Sequence, residues 1–517
     1  MESKEPPPTP NTPPPDWKMV MKRASSRRSR KRNQRLLASG LGQDILGDTV
    51  VVTVRNKLET ENTAIHWHGI RQRGSPWADG TAAVTQCPIL PGETFTYRFV
   101  VDWPGTYLYH AHYAMQRVAG LDGMMVVSVP DGVAEPFTYD EEHTVLLMDW
   151  WHQSVYEQAV GLASDPLVFV GEPQSLLING RGMFTNCSSQ DQLAAPACNA
   201  SRPADCAALP APLFTAVPGK TYRLRIGSLT SLSSLSFEIE GHTMTVVEAD
   251  GHYVRPAAVD SLFIYSGETY SVLVKADQDP SRSYWAAERR GRPELRRQRR
   301  SAADAAADGP RMGRRGGQGG AEQNRIDGHV RWAINGVSLR FQATPHLFSM
   351  KRGLRGAYDD QRPPPDAYDD DYDIASPPAA NGTVASAAYR LALGSVVDVV
   401  LQNTAALNGR SEAHPCHLHG HDFWVLGYGE GKFEPERDAA SFNVRDPVMM
   451  KNTVALQPLR CTAVRFVADN PGVWLFHCHV EAHVYMGMGW CSRRASTGSV
   501  ACPSPSWAAD DPGRGHN

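Results

Sequence analysis

The chain has 517 residues, a net charge of -3 and 41% hydrophobic residues, which at about 150 residues per domain allows roughly three domains. So small a charge imbalance gives no electrostatic footprint for nucleic acid or for an anionic membrane surface. No apolar run approaches the roughly 18 residues of a spanning helix, so the expectation is no nucleic-acid partner and no membrane.

In chain order, residues 1–42 read as a disordered leader. Met1 to Pro15 is rich in proline, and Arg23 to Arg35 is strongly basic where a secretory signal would carry an apolar core. Most basic runs of this kind are solvated tails. From Asp48 the text changes to short β-rich runs divided by Gly, Pro and Asn. These are Thr49 to Val54, Thr94 to Val101, Met124 to Val129 and Thr144 to Met148, then Thr221 to Ile226, Tyr270 to Ala276, Val396 to Leu401 and Thr462 to Val467. Without long helical periodicity, such a pattern predicts an all-β chain of repeated Greek-key β-sandwiches or barrels.

The punctuation divides the chain. A first domain over 43–132 ends where a proline-containing polar stretch, Pro130 to Tyr139, begins, and a second spans 133–287. Residues 288–326 turn rich in Arg, Gly and Ala, with Arg289, Arg290, Arg296, Arg297, Arg299 and Arg300 in one group. Having lost all hydrophobic alternation, they read as a disordered basic linker. A third domain over 327–490 and an irregular tail over 491–517 complete the division. Within the second domain Cys187, Cys198 and Cys206 share one loop-like stretch with the glycosylation acceptors Asn186 and Asn199, and Asn381 is a third acceptor. These features favour an oxidising, extracellular compartment, although no signal peptide is visible.

Ten of the 18 histidines fall in four places: His66-Trp67-His68, His110-Ala111-His112, His414-Pro415-Cys416-His417-Leu418-His419, and His477-Cys478-His479 with His483. In an extended segment residues two apart share a face, so each H-x-H pair throws two imidazoles to one side. Four pairs can surround one cluster with eight nitrogen ligands. Cys478 must point away from His477 and His479, and His414, three residues before His417, should face the Cys478 side. This gives two sites. Cys478, His414 and His483 with Met488 as a long axial ligand suit type 1 copper, a one-electron acceptor. The pairs 66/68, 110/112, 417/419 and 477/479 suit three further coppers able to bind dioxygen. Imidazoles alone would fit zinc equally well, and the plain alternative is a buried cysteine among core histidines.

Longer stretches carry a resemblance: HWHGI from His66, PWADGT from Pro76, Gln116-Arg117, GEPQ from Gly171, LINGRG from Leu177, and HGHDFWVLGYGEGKF running to Phe433. Over about Asp48 to Trp285 and Asp327 to Met488 the chain resembles the multicopper oxidases, and among them the ascorbate oxidase branch. The resemblance implies three cupredoxin-like domains, the type 1 copper in the third and the other three coppers between the first and third. It assigns His66 and His417 to the type 2 copper. His68, His110, His112, His419, His477 and His479 fall to the type 3 pair, four coppers in all. Asp79 is similar to a carboxylate that orients ligands and supplies protons, although a turn residue before Gly80 is an equally ordinary role. The reductant's pocket would lie against an exposed His483 imidazole between Trp332 and Phe169, the latter standing where the family has tryptophan. Phenylalanine keeps the stacking face but loses the indole donor.

Cys416 likewise replaces a tryptophan, and Cys461 an aromatic residue. The resemblance also implies a Cys187 to Cys198 disulfide, a Cys206 without its partner, Cys87 paired with Cys502, secretion and a homodimer. The activity implied is oxidation of ascorbate or a similar enediol, entering at His483 and Cys478, coupled to reduction of dioxygen to water. Laccase-type phenol oxidation is the alternative enzyme. An inert cupredoxin-like binding protein is the alternative of another class, whose kind lacks the copper histidines present here.

Overall fold

All eight β-rich runs coincide with strands of the computed structural model, three of them (ending at Val101, Val129 and Ala276) overrunning by one residue; the structure describes residues 19–21, 41–182, 212–290, 315–354, 359, 365, 372–376, 382–386, 388–444 and 448–494. Among these residues the strands form three successive pairs of sheets. In the first pair a sheet ordered Leu41–Ile45, Asp122–Ser128, Gly105–Ala111, Ile65–His68 faces one ordered Met19–Met21, Thr49–Arg55, Thr94–Val100. Val50, Val52 and Val54 recur every second residue, so all three point inward onto Trp67, Tyr97, Phe99 and Met125. Each such side chain contributes roughly 1.5–3 kcal/mol on burial.

The second pair sets a six-stranded sheet, with Thr221–Ser228 and Thr269–Lys275 at its centre, against a three-stranded one built on Leu235–Ile239. The third sets an eight-stranded sheet against a five-stranded sheet ordered Ala388–Arg390, Gly489–Arg494, Gly472–Cys478, His414–Leu418, Thr453–Leu456. Their shared core holds Phe466, Phe476, Cys478, Met488 and Trp332. No helix among the described residues is long and apolar enough to cross a membrane.

The structure corrects the expected boundaries. Residues 288–326 are not all linker. Ala286–Arg290 is an edge strand antiparallel to Leu235–Ile239, with Arg289 and Arg290 paired to Glu238 at 2.8 Å and Glu172 at 3.1 Å. Arg315–Ile326 lies inside the eight-stranded sheet, parallel to Val396–Asn403 and antiparallel to His329–Ile334. Its glycines hide the alternation, yet their backbone pairs with Asp398 to Gln402, and the following half, from Ala321 to Ile326, pairs with the strand on the other side. The leader contributes Met19–Met21 beside Thr49–Arg55, and the first sandwich starts at Leu41 rather than residue 43. The tail is regular as far as Arg494, paired with Gly472–Cys478. A helix, Val155–Leu162, capped by Ser154, was not anticipated. Cys187, Cys198, Cys206, Cys502, Asn186, Asn199, Asn381 and residues 291–314 lie outside the described residues.

Candidate metal centre

Strand register brings the histidine pairs together. Ile65–His68 lies beside Gly105–Ala111 with His66 opposite His110, and His414–Leu418 lies beside Gly472–Cys478 with His417 opposite His477. His112, His419 and His479 each sit one residue past the end of their strand, where each backbone N–H still donates across, to Ala64 O, Leu475 O and Pro415 O. The two sheet ends face each other across the junction of the first and third sandwiches.

There the ring nitrogens converge. His66 Nε2 is 3.4 Å from His417 Nε2, His110 Nε2 3.2 Å from His479 Nε2, and His419 Nε2 3.1 Å from His477 Nε2. His68 joins the second pair and His112 the third, each as a trio whose ligand atoms lie within 4.8 Å of one another. The outer nitrogens fix the tautomers. Nδ1 of His66, His110, His417 and His477 lies 2.7 to 2.9 Å from a carbonyl oxygen, which can only accept, so Nδ1 carries the proton and Nε2 offers its lone pair inward. His419 Nδ1 donates to Asp79 Oδ2 at 3.0 Å, and His479 Nδ1 to Ser266 Oγ at 2.8 Å.

Burial, reinforced by neighbouring charged groups, holds His68, His110, His417, His419, His477 and His479 well below the ordinary imidazole range, and brings His112 to about 3. They are neutral ligands at physiological pH. His68 Nδ1 and His112 Nε2 are buried with no partner in the protein. A buried polar atom left so costs about 1–3 kcal/mol, which a metal bond removes.

Asp79 is fully buried, and it both fills the turn position and touches two of the histidines. It ends the short 3-10 turn Pro76–Ala78, and its carboxylate also accepts from Thr81 Oγ1 at 2.6 Å and lies 3.4 Å from His66 Nδ1. Burial pushes its carboxyl up, but the charge and hydrogen bond of His66 bring it below the ordinary value.

On the other face of the Cys478 strand, His414 and His483 turn their Nδ1 atoms to the thiol. The three separations are 3.1 Å between the nitrogens and 3.7 and 3.6 Å to Sγ. The circle through those atoms has a radius of about 2 Å, the length of metal bonds to imidazole and thiolate. Burial pushes the Cys478 thiol well up, so a metal cation must supply the charge that makes it a thiolate. Met488, 1% exposed, lines the same small cavity as Cys478, with Cys416 and Phe476. Both donor sets, imidazoles alone and imidazoles with a thiol and a thioether, therefore fit copper.

The expected pocket is partly corrected. Trp332 packs on His483 with ring centres 4.4 Å apart, and Phe169, 37% exposed, stands at 6.5 Å. His483 itself is buried rather than exposed, because Trp332 covers its face and Glu412 Oε2 lies 3.5 Å from its Nε2. Thr453, Ser266, Glu412, Arg117 and Glu481 also stand at the site; each is a single residue without motif spacing, which is why sequence reasoning assigns it no role. Arg117 joins Glu481 at 2.7 Å and the His479 carbonyl at 2.6 Å.

Three β-sandwiches with nitrogen clusters at the first–third junction and a Cys478 strand bridging two sites define a class, and the comparisons agree. Profiles described as multicopper oxidase match residues 33–132, 141–307 and 357–491. The chain belongs to the multicopper oxidases, whose cofactor is four coppers of types 1, 2 and 3, and its sandwiches are cupredoxin-like. It is 48% identical to the L-ascorbate oxidase of Cucumis sativus, over 86% of this chain and 82% of that protein. A laccase of Oryza sativa subsp. japonica is more distant, 33% identical over 89% and 87%. Among solved structures, the laccase of Botrytis aclada superposes with a TM-score of 0.65 at 26% identity, covering 89% and 83%.

Proposed function

We propose that this chain oxidises ascorbate, or a similar enediol, in one-electron steps and passes four electrons to dioxygen, forming water. The observation that carries this reading is the set of three facing Nε2 pairs, 3.1 to 3.4 Å apart, joined to the Cys478 triangle by His477 and His479. Likeness to L-ascorbate oxidases at 46% to 48% identity supports the reductant.

In this reading Cys478, His414 and His483, with Met488, would hold the type 1 copper. His66 and His417 would hold the type 2 copper, and His68, His110 and His479 with His112, His419 and His477 would hold the type 3 pair. Copper held at the two sites would supply one-electron redox chemistry, linking oxidation of the reductant to reduction of dioxygen. The protein's part is positioning. Trp332 and Phe169 offer aromatic faces beside His483, and the buried Trp332 indole N–H, without a partner, is a donor for a substrate oxygen. Cys478 joins the two sites through its own peptide bonds to His477 and His479. Asp79 orients His419 and holds a proton acceptor against the cluster. The same reading places the protein outside the cell and pairs two chains, which fractionation and sedimentation check.

An oxygen electrode with copper-loaded protein and ascorbate is the test. Blue colour without oxygen uptake would remove the reductant claim. Faster turnover of a methoxyphenol than of ascorbate would favour the laccase reading, for which the missing indole at Phe169 is the specific observation.

A further inference from the structure

The second sandwich supplies none of the histidines, yet one of its carboxylates holds the peptide that contacts two of them. Asp250 occupies the turn between the strands Met244–Ala249 and His252–Val259, is 2% exposed, and has a φ of +46° that favours glycine or a short polar residue. Its Oδ1 accepts from Thr269 N at 2.9 Å, within the same sandwich. Its Oδ2 accepts from Asn452 N and Thr453 N, each at 3.2 Å, on the third sandwich. Lys451 Nζ lies 3.3 Å from that oxygen and 3.3 Å from Glu268 Oε1, both buried, and 3.1 Å from Oη of the half-buried Tyr270.

Asn452 and Thr453 in turn decide which nitrogen two histidines present. The Asn452 carbonyl accepts from His417 Nδ1 at 2.8 Å, leaving His417 Nε2 free for metal. Thr453 Oγ1 donates to Asn452 Oδ1 at 3.1 Å, so towards His68 Nε2, also at 3.1 Å, it accepts. His68 Nε2 must therefore carry the proton, and its partnerless Nδ1 is the atom left to bind. Two neighbouring residues thus hold two stacked imidazoles, 3.7 Å apart, in opposite tautomers.

We infer that Asp250 is a positioning residue for the copper cluster, clamping Asn452 and Thr453 so that His417 offers Nε2 and His68 offers Nδ1. The inference rests on the copper reading above and extends it to a sandwich with no ligands. Its carboxylate suits the task because a carboxylate only accepts. An amide at the same place must turn its NH2 toward either the Thr269 N–H or the two N–H groups and the Lys451 cation. The charge also pairs with Lys451, which it shares with Glu268.

The test uses the full copper-loaded chain with Asp250→Asn. The expected result is a changed type 2 paramagnetic resonance signal or fewer coppers per chain, with oxygen uptake about 10–100-fold slower, the usual cost of losing a ligand's supporting partner. The blue band and anaerobic reduction by ascorbate at Cys478 should stay as in the wild type. Wild-type copper content and resonance, with loss confined to thermal stability of the copper-free protein, would overturn the inference. Thr453→Val probes the same link without touching the ion group and should give the same signature, with Thr453→Ser restoring it. Wild-type spectra in Thr453→Val would overturn it equally. A wild-type chain that takes up no copper overturns the metal reading and this inference together, whereas identical loading and an identical type 2 signal in wild type and Asp250→Asn overturn the inference alone.

Discussion

Arg117 ties the three sandwiches to one another. Its guanidinium, 2% exposed, comes from the first. It donates to Thr230 O at 3.0 Å and Ser266 Oγ at 2.9 Å in the second, and to Glu481 Oε2 at 2.7 Å and His479 O at 2.6 Å in the third. Arg117→Met keeps the unbranched stem but strands the Glu481 carboxylate, itself 6% exposed. Removing one partner of a buried pair costs about 3–5 kcal/mol, and each orphaned acceptor adds about 1–3 kcal/mol. The copper-free variant should therefore lose at least about 3 kcal/mol in a urea titration at neutral pH.

Burial already raises the Glu481 carboxyl while Arg117 opposes that rise, so without Arg117 the folded value climbs further. A carboxyl raised in the folded state penalises folding above its unfolded value. The variant's deficit against wild type is thus full at neutral pH and shrinks as pH falls toward the ordinary carboxylate range. Adding Glu481→Leu removes the stranded charge and should recover most of the loss. A loss below about 1 kcal/mol, the level of a surface pair, or a double variant no better than the single, would refute the reasoning.

Other outcomes follow from the same geometry. Cys478→Ser should abolish the blue colour, since only its thiolate can give that charge transfer; a persisting band would remove Cys478 from the site. Asp79→Asn should slow oxygen uptake about 10–100-fold with the blue band intact, read by stopped-flow reduction followed by reoxidation. Phe169→Trp restores an indole donor worth about 0.5–1.5 kcal/mol, so KM for ascorbate should fall roughly two- to tenfold. An unchanged KM would take residue 169 out of the pocket.

What the sequence disclosed depended on periodicity. The eight strand runs and the four H-x-H pairs were legible because a period of two shows itself within a few residues. The strand Arg315–Ile326 was hidden because glycine carries no polarity to alternate, while its backbone alone pairs it, the first half with Val396–Asn403 and the second with His329–Ile334. Thr453, Ser266 and Asp250 were hidden for another reason. Each acts through one or two hydrogen bonds to a histidine or a peptide far along the chain, and a lone hydroxyl or carboxylate has no local pattern. The buried state of His483 was equally beyond reach, since it depends on where Trp332 and Glu412 come to rest.

His66 and His417, whose facing nitrogens make one metal site, are 351 residues apart in sequence. At a synthesis rate of about 5–20 residues per second, some 20–70 s separate the appearance of one half of that site from the other. During that interval the first sandwich has its own core but carries histidines aimed at a partner not yet made. Metal offered to the nascent chain can meet only half-sites of two or four imidazoles. Complete loading therefore belongs to the finished, docked molecule, and the order of events in making this protein is written in the distance between two of its ligands.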